Sequence, residues 1–473
     1  LYPCLFLATF YDPAINLVEK KKFSQIKREL KKSLVRIFKR KQLKQYVSGK
    51  GEWKKWFWVA PILLDKISGN MQFVKDWLNK GMPPSELLID PDNSINNKDE
   101  SLGKRKHFDY VKSIFIKNEI ISAGILNENQ LEKVCEHLAI LTLGSPAVCY
   151  LRSQLRYKKL STELLDASFN VASAFLTMFN KPESIAVVRL NTHENDYWKR
   201  ILEYVIDGNI QAMLDEFLHL LINCENLDSV SEISDFISDI LTIRTANLEF
   251  DDLENFINNL SKKRKKHITL RSHYAVDFGR QKVATAKGAG RQINIRQAFN
   301  SPFHPFVLAS TSIGQEGLDF HLYCKKIFHW NLPSNPIDFE QREGRIHRYQ
   351  GLVIRLNLAE KYRSEIHFND KTNNVWKEIF TIASKEKGPG LCDLVPFWHT
   401  EPVHNIKIER FVPLYPFSID IDKFNNLIKI LAFYRLTFGQ PRQDDLINAL
   451  GQIGNKDRFK NLIINLSPIL FYK

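Results

Sequence analysis

Glu340-Gln341-Arg342-Glu343-Gly344-Arg345-Ile346-His347-Arg348-Tyr349-Gln350-Gly351 is the stretch on which the reading of this chain turns. Taken as a helix, it sets Gln341, Arg345 and Arg348 at i, i+4 and i+7, on one face. Two guanidinium groups there, with Gly344 permitting close approach, suit a triphosphate whose charge shifts during transfer, because guanidinium supplies fixed, always-charged donors. The alternative is a structural helix whose Arg345 and Arg348 pair with Glu340 and Glu343. A connector, Leu332-Pro333-Ser334-Asn335-Pro336, leads into it. Upstream lies Ala309-Ser310-Thr311-Ser312-Ile313-Gly314-Gln315-Glu316-Gly317-Leu318-Asp319-Phe320, a strand end running into hydroxyls, a glycine-containing turn and an acid. Hydroxyls and free backbone N–H groups at the carboxyl end of a strand hold phosphate oxygens, and an aspartate just beyond can accept from ribose hydroxyls.

Working outward, short apolar runs of the buried-strand type recur at Pro305–Ala309, Lys326–Trp330 and Leu352–Leu356, and His267–Val276 alternates as a strand. A Gly- and Lys-rich loop, Gly279 to Arg291, and a short helix, Ile293 to Phe299, lie between them. As an expectation, that loop either tracks nucleic-acid phosphates or is simply mobile. Buried strands spaced by helical stretches predict an α/β fold with a parallel sheet and crossover helices. The texture differs before Lys262-Lys263-Arg264-Lys265-Lys266. There the pattern is helix after helix, broken near Gly144-Ser145-Pro146, Asn180-Lys181-Pro182 and Asp228-Ser229, with residues 92–103 read as a loop. Phe23, Ile26, Leu30, Leu34 and Ile37 form the apolar stripe of one such helix, whose other face is dense in lysine and arginine from Lys20 to Lys44. That face is either turned to nucleic acid or simply solvated. Trp53, Trp56, Phe57 and Trp58 read as a core segment. The expected division is a mainly helical region over 1–261, an α/β lobe over 262–385 and a mixed, helical extension over 386–473.

Together the two motifs resemble motif V and motif VI of superfamily-2 helicases and translocases. The likeness is to the Swi/Snf and RapA-like branch, with its Gly-x-Glu-Gly turn, Leu-Pro-x-Asn-Pro linker and Gln-x-x-x-Arg-x-x-Arg helix. The wording is also similar to bacterial helicase-like proteins found near defence systems, as is the tail Phe438-Gly439-Gln440-Pro441-Arg442-Gln443. The resemblance implies a RecA-like second lobe, with ATP and Mg²⁺ as cofactors and duplex DNA as the track. It implies that Arg345 and Arg348 reach the γ-phosphate as the catalytic arginines. Gln341, Gly317 and Asp319 then border the nucleotide and its ribose, and Thr311 and Ser312 touch the nucleic-acid backbone.

The departure from the family pattern matters as much. No G-x-x-x-x-G-K-[ST] loop occurs in the 473 residues, and Gly103-Lys104-Arg105 lacks the upstream glycine and the hydroxyl. Asp215-Glu216-Phe217-Leu218-His219 looks like a D-E-x-H box but falls within a helical pattern. The expectation is the second half of a motor, inactive alone, whose ATP site is completed by a P-loop lobe on an upstream polypeptide or a separate chain. The alternative is a non-enzymatic nucleic-acid-binding module derived from such a lobe. The first residue is Leu, which fits a fragment, a split-gene product or a non-standard start codon.

Composition agrees with a globular chain of several domains, at 44% hydrophobic and 25% charged residues. It excludes a disordered or collagen-like protein. The net charge of +14 favours polyanionic partners. No run approaches the roughly 18 apolar residues of a membrane span, and no signal peptide is read. Six cysteines without C-x-x-C spacing fit a reducing cytoplasm and argue against a zinc or redox motif. His321, His329, His347, His399 and His404 show no metal-ligand spacing and are read as surface or packed histidines.

Overall fold

Capping chemistry sets the helices of the first 243 residues in the computed structural model. The structure describes residues 1–17, 21–39, 41–69, 71–82, 94–117, 120–243, 246–250, 253, 257, 268–272, 295–309, 319–366, 374–387 and 393–436. The N-terminal helices are α1 (Leu5–Phe10), α2 (Phe23–Phe38), α3 (Trp56–Ile67), α4 (Met71–Lys80), α5 (Ser94–Ile116) and α6 (Glu128–Gly144). They continue as α7 (Pro146–Leu155), α8 (Thr162–Phe179), α9 (Pro182–Asn191), α10 (Tyr197–Asp207), α11 (Ile210–Asn223) and α12 (Val230–Thr242). Asn127, Ser161, Asn209 and Ser229 each accept a bond from a first-turn N–H. Pro146 and Pro182 sit at the first positions of α7 and α9, where no N–H is needed. The three breaks read from the sequence fall at these boundaries. Residues 92–103 differ, because α5 is helical from Ser94 onward. Only Gly103 in that stretch is a helix breaker, and asparagine and serine alone do not stop a helix.

Contacts divide the chain into two units, the first comprising Leu1–Val276, Val283–Phe306 and Ser364–Lys377. In it α8 packs on α7 and α12, α2 on α6, and α7 on α1 and α11. Leu164, Val171, Leu214, Phe217, Ile233 and Ile237 are fully buried there. Two small sheets flank the helices: β1 (Val47–Ser48) runs parallel to β2 (Ile121–Ser122), and β3 (Ala246–Phe250) antiparallel to β4 (Ile268–Ser272). The strand expected at 267–276 is therefore present as β4, but antiparallel. The helical turn expected near 293–299 is found at 295–299.

The second unit comprises Asp277–Lys282, Val307–Arg363 and Glu378–Lys473. Its strands β5 (Lys326–Phe328) and β6 (Glu409–Phe411) pair in parallel, Ile327 opposite Arg410. From residue 336 onward the described helices are α13 (Pro336–Gly344), α14 (Leu352–Tyr362), α15 (Val375–Lys385) and α16 (Asp420–Leu436). Phe339 of α13 and Leu427 of α16 are buried together, with Leu332 and Phe424 packed against them. Two expected strands are corrected. Leu352–Leu356 belongs to α14, whose buried residues Ile354, Leu358 and Tyr362 recur every fourth position. Residues 305–309 form no strand, and Phe306 and Val307 are exposed. Among the described residues every sheet has two strands, two sheets parallel and one antiparallel. The described residues are thus mostly helical with small, mainly parallel sheets, consistent with an α/β fold. No single described helix is long and apolar enough to cross a membrane.

Candidate nucleotide-facing site

Asn335 starts α13 by accepting a 2.9 Å bond from the Ile337 N–H, and Pro336 takes the first helical position. The helix ends at Gly344. Arg345 is its C-cap, and its N–H bonds back to Arg342 and Glu343 carbonyls in a tightened last turn. Ile346 then turns inward to 5% exposure. Gln341, Arg345 and Arg348 consequently do not share one helical face. Gln341 is exposed on α13, whereas Arg348 lies in the irregular segment beyond it. The reason is local: burying Ile346 redirects the backbone one turn early.

What brings the arginines together is a different device. Phe320 N–H donates to the Arg345 carbonyl at 2.8 Å, and Leu352 N–H donates to the His321 carbonyl at 2.9 Å. The segment around 319–322 is thereby stitched to both ends of the turn. Asp319 Oδ1 comes to 3.8 Å from Arg345 Nη1 and 3.2 Å from Arg348 Nε. The pairs with Glu340 and Glu343 foreseen in the structural alternative are not those formed by the two arginines. Side-chain exposures are 19% for Arg345, 38% for Arg348 and 45% for Asp319, so the cluster stands at the surface of its unit. Among the described residues these two guanidiniums pair with one carboxylate.

Further side chains hold this turn, and of these Arg355 and Arg410 were missed by sequence reasoning. Arg355 is fully buried and donates to the Gln350 carbonyl at 2.6 Å and the Leu322 carbonyl at 2.5 Å, so one guanidinium fastens both stitched segments. An arginine inside an apolar run was the available signal. Glu343 accepts hydrogen bonds from Arg410 Nε and, at 2.7 Å, from Arg410 Nη2, and it lies 3.3 Å from His329 Nε2. Burial pushes the Glu343 carboxyl up, but the hydrogen bonds from His329 and Arg410 outweigh it and hold the group at about 2. His329 stacks on Phe339, with ring centroids 4.3 Å apart. Nothing local in the sequence ties Arg410 to Glu343, because 67 residues separate them.

Gln350 has a left-handed φ of 49°, and its N–H donates to the Phe397 carbonyl at 2.8 Å. A Cβ on the next residue, Gly351, would lie 3.1 Å from the Arg348 carbonyl, so glycine suits this tight return. Burial lowers the His321 imidazole to about 4, with Asp319 opposing and Arg355 and Arg348 adding to the drop. His321 is therefore neutral at physiological pH.

Gly317, Thr311 and Ser312 lie outside the described residues, as do the loop 279–291 and the tail 438–443. The D-E-x-H look-alike sits within α11. Asp215 there accepts bonds from Arg156, Ser153 and Gln211, and Arg156 also pairs with Asp12 at 2.9 Å. It is a buried structural network. Among the described residues no group of three His, Cys, Asp or Glu is placed to hold a metal.

Residues 255–350 match a family model described as the helicase conserved C-terminal domain. The matched span contains Asp319, Gln341, Arg345 and Arg348. No curated protein and no solved structure matches the chain. The region carrying the arginine–aspartate cluster is thus of the helicase C-terminal type, which supports a superfamily-2 second lobe there.

Proposed function

We propose that the chain acts as the C-terminal half of an ATP-dependent superfamily-2 helicase or DNA translocase, of the Swi/Snf- and RapA-like branch and akin to defence-associated helicase-like proteins. In this reading the span around 262–385 is a RecA-like lobe. The observation that carries the proposal is the meeting of Asp319 with Arg345 and Arg348, inside the span that matches the helicase domain.

The donor set fits a phosphate chain. Both arginines are part-exposed, they share one carboxylate among the described residues, and guanidinium binds phosphate oxygens bidentately. ATP with Mg²⁺ supplies the phosphoanhydride whose hydrolysis powers a complete motor. Arg345 and Arg348 stabilise the charge that gathers on the terminal phosphate oxygens, a role worth about 10³- to 10⁵-fold in rate. Asp319 holds the two guanidiniums oriented beforehand, so little reorganisation is needed at the moment of reaction. Gln341 and Gly317 border the nucleotide, and Thr311 and Ser312 contact the nucleic-acid backbone. The P-loop belongs to another lobe, since these 473 residues contain none. Mg²⁺ finds most of its ligands on that lobe.

The test compares ATP turnover by the purified chain alone with turnover after adding a helicase lobe that carries a P-loop, with and without duplex DNA. The chain alone is expected to be inactive, and the pair to show DNA-stimulated hydrolysis. Robust hydrolysis by the chain alone, abolished by Arg348→Ala, overturns the division of labour. The absent P-loop also favours a second reading, a non-catalytic nucleic-acid-binding module. For that module, salt-sensitive DNA binding persists unchanged in an Arg345→Ala, Arg348→Ala double variant.

A further inference from the structure

The basic helix α2 divides its positive charge between two faces that do different things. Leu30, Leu34 and Phe38 are buried, and α2 packs on α6. Lys27 pairs with Glu136 at 2.8 Å and Lys31 with Glu132 at 3.0 Å. Positions rise by four on α2 as they fall by four on α6, so the helices are antiparallel and these lysines border their interface. They contribute to folding and are already neutralised.

The remaining cations fall elsewhere. Arg28, Lys32, Arg36 and Lys39 are exposed, and none of the four has an ion pair among the described residues. At about 100° per residue they occupy an arc of roughly 80°, on the side away from Leu30, Leu34 and Phe38. From Arg28 to Lys39 the stripe is about 16 Å long at a rise of ~1.5 Å per residue. The one acid within α2, Glu29, is engaged by Lys21 at 3.1 Å.

We infer that this stripe is a docking surface for the phosphate backbone of duplex nucleic acid, separate from the residues assigned to motif V. The charge complementarity is direct. One strand of a duplex carries a phosphate about every 3.4 Å of axis, so the stripe faces four or five phosphates with four cations. The spacing of four, four and three residues keeps the cations in line along the helix. An acidic membrane surface fits less well, because insertion needs an apolar face and α2 has spent its own against α6. The inference stands on the first unit alone and does not depend on the ATP-site reading.

The probe is a fluorescein-labelled 20-base-pair DNA duplex, followed by anisotropy from 50 to 200 mM KCl with the full chain. Neutralising the stripe as R28Q/K32Q/R36Q/K39Q is expected to flatten the plot of log K against log salt by about 2 to 4, near 0.9 per lost phosphate contact. Glutamine has nearly the helix propensity of lysine and arginine, so the melting curve of the variant is expected to stay close to that of the parent. The control K27Q/K31Q removes two lysines of the same helix and is expected to leave the slope unchanged. An unchanged slope in the quadruple variant overturns the proposal. So does an equal loss per charge in the control, which reports only net charge. Loss of binding to phosphatidylserine vesicles with DNA binding intact also overturns it, in favour of a membrane. Arg345 and Arg348 are untouched throughout, so ATP turnover in the assembled motor reports separately on the catalytic reading.

Discussion

Replacing Glu343 by glutamine tests how the arginine-bearing turn is held. Glu343 sits at the end of α13 with a side-chain exposure of 24%, clasped by Arg410 from β6 and facing His329. Its carboxyl is held at about 2 instead of an ordinary 4.5, which corresponds to roughly 3 kcal/mol at neutral pH. The folded-state value lies below the unfolded one. The contribution is therefore complete above pH 4.5 and is lost as the pH falls from 4.5 towards 2. Glutamine keeps one acceptor but turns an N–H₂ towards Arg410, so about 1 to 3 kcal/mol should disappear at pH 7. Hydrogen–deuterium exchange reads this locally, which suits a chain of two units with no single unfolding free energy. Amides of α13 are expected to lose about ten- to a hundredfold in protection, while those of α8 and α12 stay unchanged. The gap between variant and parent should close as the pH is lowered through the window. Unchanged α13 protection at pH 7 would show that the Arg410–Glu343 clasp does not anchor the turn.

Other substitutions have outcomes as definite. Asp215→Ala removes one of the two carboxylates paired with the buried Arg156 guanidinium, and is expected to cost about 3 kcal/mol of first-unit stability, read by urea denaturation. If it instead abolished ATP turnover in the assembled motor without loss of stability, the network would be catalytic. Arg355→Met removes the donor shared by the Gln350 and Leu322 carbonyls and is expected to cost about 2 to 4 kcal/mol. Exchange should accelerate at residues 319–322 and 350–352 together, because one guanidinium fastens both; acceleration at only one of them would contradict the shared clamp.

Much of the helical framework was legible in the residues. The stripe from Phe23 to Ile37 became α2, and the buried strand expected at Lys326–Trp330 is β5, two residues shorter and not buried, with Phe328 and Trp330 exposed. Leu352–Leu356 was misread because a short apolar run has no period of its own, and the recurrence of Ile354, Leu358 and Tyr362 was the better guide. In the candidate site, the sequence singled out Asp319, Arg345 and Arg348, which the structure brings together, but by backbone stitching across a turn and not by a shared helical face. Arg410 and Arg355 escaped notice because their partners are distant in sequence or are backbone carbonyls, which leave no pattern in residue types.

The sharpest check on the motor reading is the steady-state kinetics of Arg348→Ala in the assembled chain and P-loop lobe. If Arg348 acts on charge that develops only during phosphoryl transfer, kcat falls by about 10³-fold or more while KM for ATP shifts little. A kcat within a few-fold of the parent enzyme would place this side chain outside the reacting centre.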